Sequence, residues 1–180
     1  MKDRKLATRY ARALLAALPD SHQAEAAGAI LLAVGQAMER SPELRTALLN
    51  PAIPRPTRRQ ALGTLAEKAG VAGEVVRFLH TIVDNGRVAS LPAIAQVFQE
   101  EREKARGFVS ASVASAGPLP PDLADRLRGV LERITGYQVR MTCAVDASLI
   151  GGVVARIGSR IYDGSLRTQL RWLRRRMVEE

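Results

Sequence analysis

At Gly107 the hydrophobic pattern of this chain changes period, and no other feature limits its fold as strongly. Up to "QEEREKAR" the apolar residues recur three and four apart, as on one face of a helix. After Gly107, "FVSASVAS" alternates apolar with polar at every step, as a half-buried strand does. A single layer cannot satisfy both periods, so the pattern predicts two units. Residues 1–105 read as a helical bundle and residues 106–180 as a small α/β domain.

In the first unit, the segment from Lys5 to Leu18 carries Leu6, Tyr10, Leu14 and Leu18 on one stripe, with Ala7, Ala11 and Leu15 beside it. A helix apolar over so much of its circumference needs partners on more than one side. Pro19-Asp20-Ser21 stops it and supplies a cap for the next, where Ile30, Leu31, Val34 and Met38 recur before Ser41-Pro42. A short helix runs through Leu48, and "NPAIPRPTRR" then interrupts the chain. Thr57 is expected to cap a helix through Ala61, Leu62 and Leu65 that Gly70 ends. Another is expected from about Ala72 to Asp84, with Val75, Val76, Leu79, Ile82 and Val83 apolar. The last, from Leu91 to about Arg106, carries Ile94, Val97 and Phe98 inward. The sum is a mainly α protein opening on a six-helix antiparallel bundle.

In the second unit, "LPPDLADRLRGVLERITG" returns to helical spacing, with Leu123, Leu127, Val130, Leu131 and Ile134 on one stripe, and "YQVRMTCAV" alternates again. A third strand is expected where Val153, Ala155, Ile157 and Ile161 point one way while Arg156 and Arg160 point to water or a partner. Asp163-Gly164 makes a turn, and Ser165 caps a terminal helix. The buried line of that helix is expected to be Leu166, Leu170, Leu173 and Met177, packed on the sheet. Arg167, Arg171, Arg174 and Arg175 fall together beside that line.

The chain carries 27 Lys+Arg against 18 Asp+Glu, a net charge of +9, which favours encounter with an acidic partner. The excess is spread over both units, so it is no basic arm. Apolar content of 47% is ample for a core, and charges interrupt every run that approaches the length of a membrane span. "MKDRKLATRYARALLAALP" is read as a folded first helix rather than a targeting segment. The single cysteine, Cys143, leaves no disulfide and no thiolate zinc site, and its alternating context predicts a core thiol. His22 and His80 have no second ligand at metal-binding spacing, so both read as structural and no metal or cofactor is implied. Gly151-Gly152 fits neither phosphate-loop pattern, because a strand and not a helix follows; a bulge or a close backbone approach is expected there. No nucleophile and base stand in a catalytic context. The arginine run "RWLRRR" is the best case for nucleic acid, yet aromatics make up only 4% of the chain and no reading motif appears.

The stretch "VDASLIGGVVARIGSRIYDGSLRTQLRWL" resembles the C-terminal signature of the delta subunit of F-type ATP synthases, relatives of the mitochondrial oligomycin sensitivity-conferring protein. Its elements are Asp146, Leu149, Gly151, Gly152, Arg156, Gly158, Asp163, Gly164, Ser165 and Leu166. "ATRYARALLAAL", "FLHTIVDNGRVASLPAI" and "GFVSASVASAGPL" look like the same family in the same order, so the resemblance spans essentially the whole chain. It implies a non-catalytic subunit of the peripheral stalk, holding the catalytic head against the rotor. It also implies that the helical unit receives the N-terminal helix of an alpha subunit in a groove between the first and fifth helices. Tyr10, Leu14, Val75, Leu79 and Ile82 are the candidates to line that groove. The second unit is expected to meet the b subunits, with Arg156, Arg160, Arg167, Arg171, Arg174 and Arg175 as a basic face. The register of the first-helix motif implies a bacterial protein on the cytoplasmic side of the plasma membrane.

Overall fold

A computed structural model of the chain describes residues 2–68 and 73–178. Among the described residues there are eight α-helices and four strands, a mainly helical protein with one small sheet. Helices α1 (Lys2–Ala17), α2 (Ser21–Arg40), α3 (Pro42–Leu49), α4 (Arg55–Lys68), α5 (Gly73–Asp84) and α6 (Leu91–Ala105) precede the first strand. The contacts divide the chain into Met1–Arg102 and Glu103–Glu180.

Local chemistry sets the helix ends. Asp20 accepts from the Gln23 amide (2.7 Å) and caps α2, and Ser41 accepts from the Leu44 amide (3.2 Å) with Pro42 following at the first position of α3. Helix α4 begins at Arg55, earlier than the start expected at Thr57, because Pro56 is tolerated in a first turn where its missing N–H has no acceptor to lose. The helix end placed at Gly70 and the start placed near Ala72 lie outside the described residues.

The core of the first unit draws on every one of these helices. Ala7, Ala11 and Leu14 of α1 meet Leu31 and Val34 of α2, Leu48, Leu62, Val75, Leu79 and Ile82, and Ile94 and Phe98 of α6 in one buried cluster. Fully burying a side chain of this size contributes about 1.5–3 kcal/mol, so the cluster outweighs any surface contact. Ion pairs from Arg4 to Glu100 and from Arg12 to Glu101 tie one flank of α1 to α6, and Arg59 pairs with Asp84 across α4 and α5.

In the second unit β1 (Phe108–Ser115) crosses over through α7 (Pro121–Thr135) to β2 (Gln138–Val145), which lies parallel to it. A hairpin, β3 (Val153–Ile157) and β4 (Arg160–Asp163), joins the other edge of β1 antiparallel and completes the order β2-β1-β3-β4. The chain then enters α8 (Leu166–Val178). The core is small: Val109, Ala111, Val113, Leu131, Val139 and Ala155.

Several expectations for this unit are corrected. The single third strand is two, because Gly158-Ser159 forms a two-residue turn with Gly158 at φ 58°, the left-handed geometry that suits the twist of a hairpin. The turn resets the alternation: Ile157 pairs with Arg160 and Arg156 with Ile161, so the two arginines lie on opposite faces and Ile161 is exposed. Cys143 is exposed, since β2 is an edge strand and α7 covers only its beginning. Leu166, Leu170, Leu173 and Met177 are not packed on the sheet; exposure rises from 44% at Leu166 to 78% at Met177. Of the α7 stripe only Leu131 is buried, with Leu123, Val130 and Ile134 exposed.

Candidate functional site

The five residues expected to line a groove between α1 and α5 divide sharply. Leu14, Val75, Leu79 and Ile82 lie in the bundle core at 2% exposure or less, with no surface to offer a partner. Only Tyr10 is half-buried, its ring edge-on to Phe78 of α5 at 6.3 Å and its hydroxyl accepting from the Asn85 amide group (3.2 Å). These contacts bring the two helices side by side and identify their shared outer flank. On α1 the residues on the Tyr10 flank are Leu6, Tyr10, Ala13 and Ala17, spaced four, three and four apart, and the ion pairs to α6 hold the opposite flank. On α5 the matching flank carries Glu74, Phe78 and Thr81. Ala13, Ala17 and Thr81 are exposed, Leu6 and Glu74 are half-buried and Phe78 belongs to the buried core, so the accessible strip is shallow and mostly small or apolar. The 4-3-4 spacing was present in the sequence, but the stronger stripe beside it masked it.

In the second unit, Gly151, Gly152, Asp163, Gly164 and Ser165 come together as a clasp between the β2–β3 loop and the start of α8. Gly152 has φ 80°, and a Cβ placed there would stand 2.3 Å from the Gly164 carbonyl oxygen and 3.0 Å from the Ser165 Cα. The Gly164 amide donates to the Val153 carbonyl (2.9 Å) and the Leu166 amide to the Gly151 carbonyl (3.0 Å). The glycine pair therefore serves close backbone approach, one of the two roles expected for it, and holds no phosphate loop. Ser165 is buried and its hydroxyl accepts from the Thr168 amide (3.3 Å) as the N-cap of α8. Asp163 accepts from the Ser165 amide (2.9 Å) and the Thr168 hydroxyl (2.8 Å).

The amide and hydroxyl of Ser165, then the Thr168 hydroxyl, hold the Asp163 carboxyl below its ordinary value. A carboxylate with a lowered folded pKa stabilises above its unfolded value and loses that contribution as pH falls through the folded one. Acidification through the low carboxylate range is therefore expected to loosen the start of α8, and Asp163→Asn to remove most of that pH dependence. Hydrogen exchange at the Ser165 and Thr168 amides, corrected for the intrinsic pH dependence of exchange, checks this; equal profiles for both chains would contradict it.

The six arginines do not form one face. Arg156 and Arg160 are on opposite sides of the hairpin. Arg167 donates to the Ser148 carbonyl (2.6 Å) and lies near Asp146, while Arg171 reaches the Thr168 hydroxyl (3.4 Å) near Asp163, so both support the clasp. Arg174 and Arg175 stand on exposed positions beside the uncovered Leu170 and Leu173. A second uncovered stripe runs along α7. Leu131 faces the sheet, and Glu132, about 100° further round, accepts from the Val139 amide (3.0 Å) at the outer edge of β2. Leu123, Val130 and Ile134 lie in the opposite sense and so look toward the β3–β4 half of the sheet. The arrangement offers apolar surface with a basic rim. Among the described residues no group of three or more His, Cys, Asp or Glu stands ready for a metal ion.

Comparison with known proteins agrees over nearly the whole length. The family model of the ATP synthase delta (OSCP) subunit matches residues 6–177. The protein called ATP synthase subunit delta from Desulfatibacillum aliphaticivorans is 36% identical over 170 residues, covering 94% of this chain and 93% of its own. That of Myxococcus xanthus (strain DK1622) is 35% identical over 176 residues, covering 97% of each. Among solved structures, a chain of the Toxoplasma gondii mitochondrial ATP synthase hexamer shares the fold, with a TM-score of 0.70 at 23% identity over 96% of this chain and 97% of that one.

Proposed function

The chain belongs to the ATP synthase delta (OSCP) subunit family, and from that premise we propose which surfaces join it to its neighbours. As a delta subunit it is a structural component of the peripheral stalk, not itself catalytic. A stator of this kind keeps the catalytic head from turning with the rotor, so that rotation driven by protons is converted into ATP synthesis. Nothing in the family or the fold supports the nucleic-acid reading of the arginine run.

The N-terminal helix of an alpha subunit docks along the flank formed by Leu6, Tyr10, Ala13 and Ala17 of α1 with Glu74 and Thr81 of α5. Small side chains there allow a helix to approach closely, and the apolar strip suits the helix-in-groove mode. The b subunits dock on the second unit, on the uncovered stripes of α7 and α8, with Arg174 and Arg175 at the rim. The observation that carries this assignment is the exposure of Leu123, Val130, Ile134, Leu170 and Leu173 in a unit whose hydrophobic core cluster, among the described residues, has six buried members. The complex is membrane-associated, and no helix among the described residues is long and apolar enough to cross a membrane. The bacterial sources of the relatives support placing the subunit at the cytoplasmic face of a plasma membrane.

Two variants test the two docks in one assay. Ala13→Asp is expected to weaken binding of a peptide with the alpha-subunit N-terminal sequence by about tenfold or more, because a carboxylate is desolvated in an apolar contact. It should leave capture by the b subunits unchanged. Leu170→Asp combined with Leu173→Asp is expected to do the reverse. Both chains should keep the helical circular dichroism of the unaltered protein. Unchanged binding in both assays would overturn the assignment.

A further inference from the structure

The two edges of the sheet are protected very differently. Strand β4 is four residues long, carries Arg160 and Asp163, and runs straight into the clasp. Short charged edges resist pairing with other chains. Strand β2 is eight residues long, carries a single charge, Arg140, and is exposed over Thr142–Val145, where Val145 keeps 59% of its surface.

The direction of its backbone groups follows from bonds at both ends. The Gln138 amide donates to the Gly107 carbonyl (2.9 Å) and the Asp146 amide to the Ser115 carbonyl (2.8 Å), so the even-numbered residues of β2 bond to β1. The odd-numbered residues turn their amides and carbonyls outward. The first outward amide, that of Val139, is already closed by the Glu132 carboxylate (3.0 Å). Those of Met141, Cys143 and Val145 follow it along an edge that no strand of this sheet covers. That row is a template for one more strand, framed by the exposed side chains of Cys143 and Val145.

We propose that the edge of β2 from Met141 to Val145 receives an extended, acidic segment of another polypeptide of the ATP synthase, which adds a fifth strand to the sheet. Main-chain hydrogen bonds supply the affinity in this mode. Charge selects the occupant: residues 106–180 carry 12 Lys+Arg against 7 Asp+Glu, and between the Glu132 carboxylate at Val139 and Asp146 beyond the strand the outward run Met141–Val145 carries no acidic residue. A second copy of this chain would bring another Arg140 and the same positive excess to the edge, which disfavours self-pairing. The site is separate from the stripes of α7 and α8. The inference rests on the chain's place in the complex, which binding of the unaltered chain reports by itself.

Hydrogen exchange of the full chain, free and rebuilt into ATP synthase depleted of this subunit, tests the proposal. In the free chain the amides of Met141, Cys143 and Val145 are expected to exchange faster than those of Thr142 and Ala144, which are bonded to β1. In the rebuilt enzyme the outward three should slow by about tenfold or more. Cys143→Pro removes one outward amide and no bond to β1, so the fold should survive and binding to the depleted enzyme should weaken by about tenfold. Should proline at 143 unfold the unit, Val145→Asp decides, since it leaves the ladder intact and repels an acidic strand, with the loss smaller at high salt. Equal exchange at the outward amides in both states would overturn the proposal, as would full-strength binding by a folded variant. Slowing that appears in the free chain and grows with its concentration would assign the edge to a second copy, and would overturn it as well.

Discussion

Gly152→Ala is expected to destabilise the second unit by about 3 kcal/mol or more, while the helical unit melts as before. Two costs add. The position has φ 80°, where a Cβ is strained, and the new methyl would stand 2.3 Å from the Gly164 carbonyl oxygen. Those neighbours are backbone, so relief means parting the Gly164–Val153 and Leu166–Gly151 hydrogen bonds that close the clasp. Because Leu170, Leu173 and Met177 are uncovered, little beyond the clasp secures α8. Its release should make the arginine-rich helix an early tryptic target and reduce capture by the b subunits. Gly129→Ala in α7 is the matched control: nothing lies within 4 Å of a Cβ there, and alanine in a helix should stabilise by about 0.5–1 kcal/mol. Denaturant unfolding of both variants checks the contrast. A Gly152→Ala chain within about 1 kcal/mol of the unaltered protein would show that the clasp can open at little cost.

Leu79→Asp is expected to unfold the helical unit outright rather than to remove a partner selectively. Leu79 has no exposed surface and sits with Val75, Ile82 and Phe98 in the core cluster. The substitution loses the burial of a leucine, leaves a cavity and strands a carboxylate in apolar surroundings, together about 4 kcal/mol or more. That is comparable with the whole stability of an ordinary domain. Loss of helical circular dichroism in residues 1–105 carrying the change is the readout. If the variant kept its helix content and lost only the alpha-subunit peptide, Leu79 would belong to a groove after all and the flank defined by Ala13 would be the wrong surface. Ala13→Asp, on the exposed face of α1, separates the two effects because it leaves the core untouched.

The helical stripes are legible in the sequence because burial imposes them directly. Ile30, Leu31, Val34 and Met38, or Ile94, Val97 and Phe98, can only recur at that spacing if one side of a helix is withdrawn from water, and all seven are buried. For the same reason the stripe that reads most strongly is core, so the groove first drawn from Leu14, Val75, Leu79 and Ile82 fell on residues that pack inside their own bundle. The weaker Leu6-Tyr10-Ala13-Ala17 spacing becomes a candidate surface only when Tyr10 is seen against Phe78, with α6 holding the other flank.

In the second unit the signature residues are legible as a motif, and only the tertiary structure assigns them work. Spacing along the chain cannot say that the loop at Gly152 and the turn at Gly164 meet at backbone distance. Alternation cannot count the residues lost to the turn at Gly158-Ser159, and one such miscount moves Arg160 and Ile161 to the other face. Nor does an amphipathic helix state whether its apolar line is covered by its own chain. For Leu166–Val178 and for α7 the pattern alone predicts burial; the fold leaves both stripes open, because four strands and two short helices enclose only a small core. Sequence by itself therefore determined the order of elements apart from the split of the third strand into a hairpin, the change of layer at Gly107 and the family. Which apolar residues are spent inside the molecule and which remain for partners was decided by packing, since that depends on distances between segments far apart in the chain.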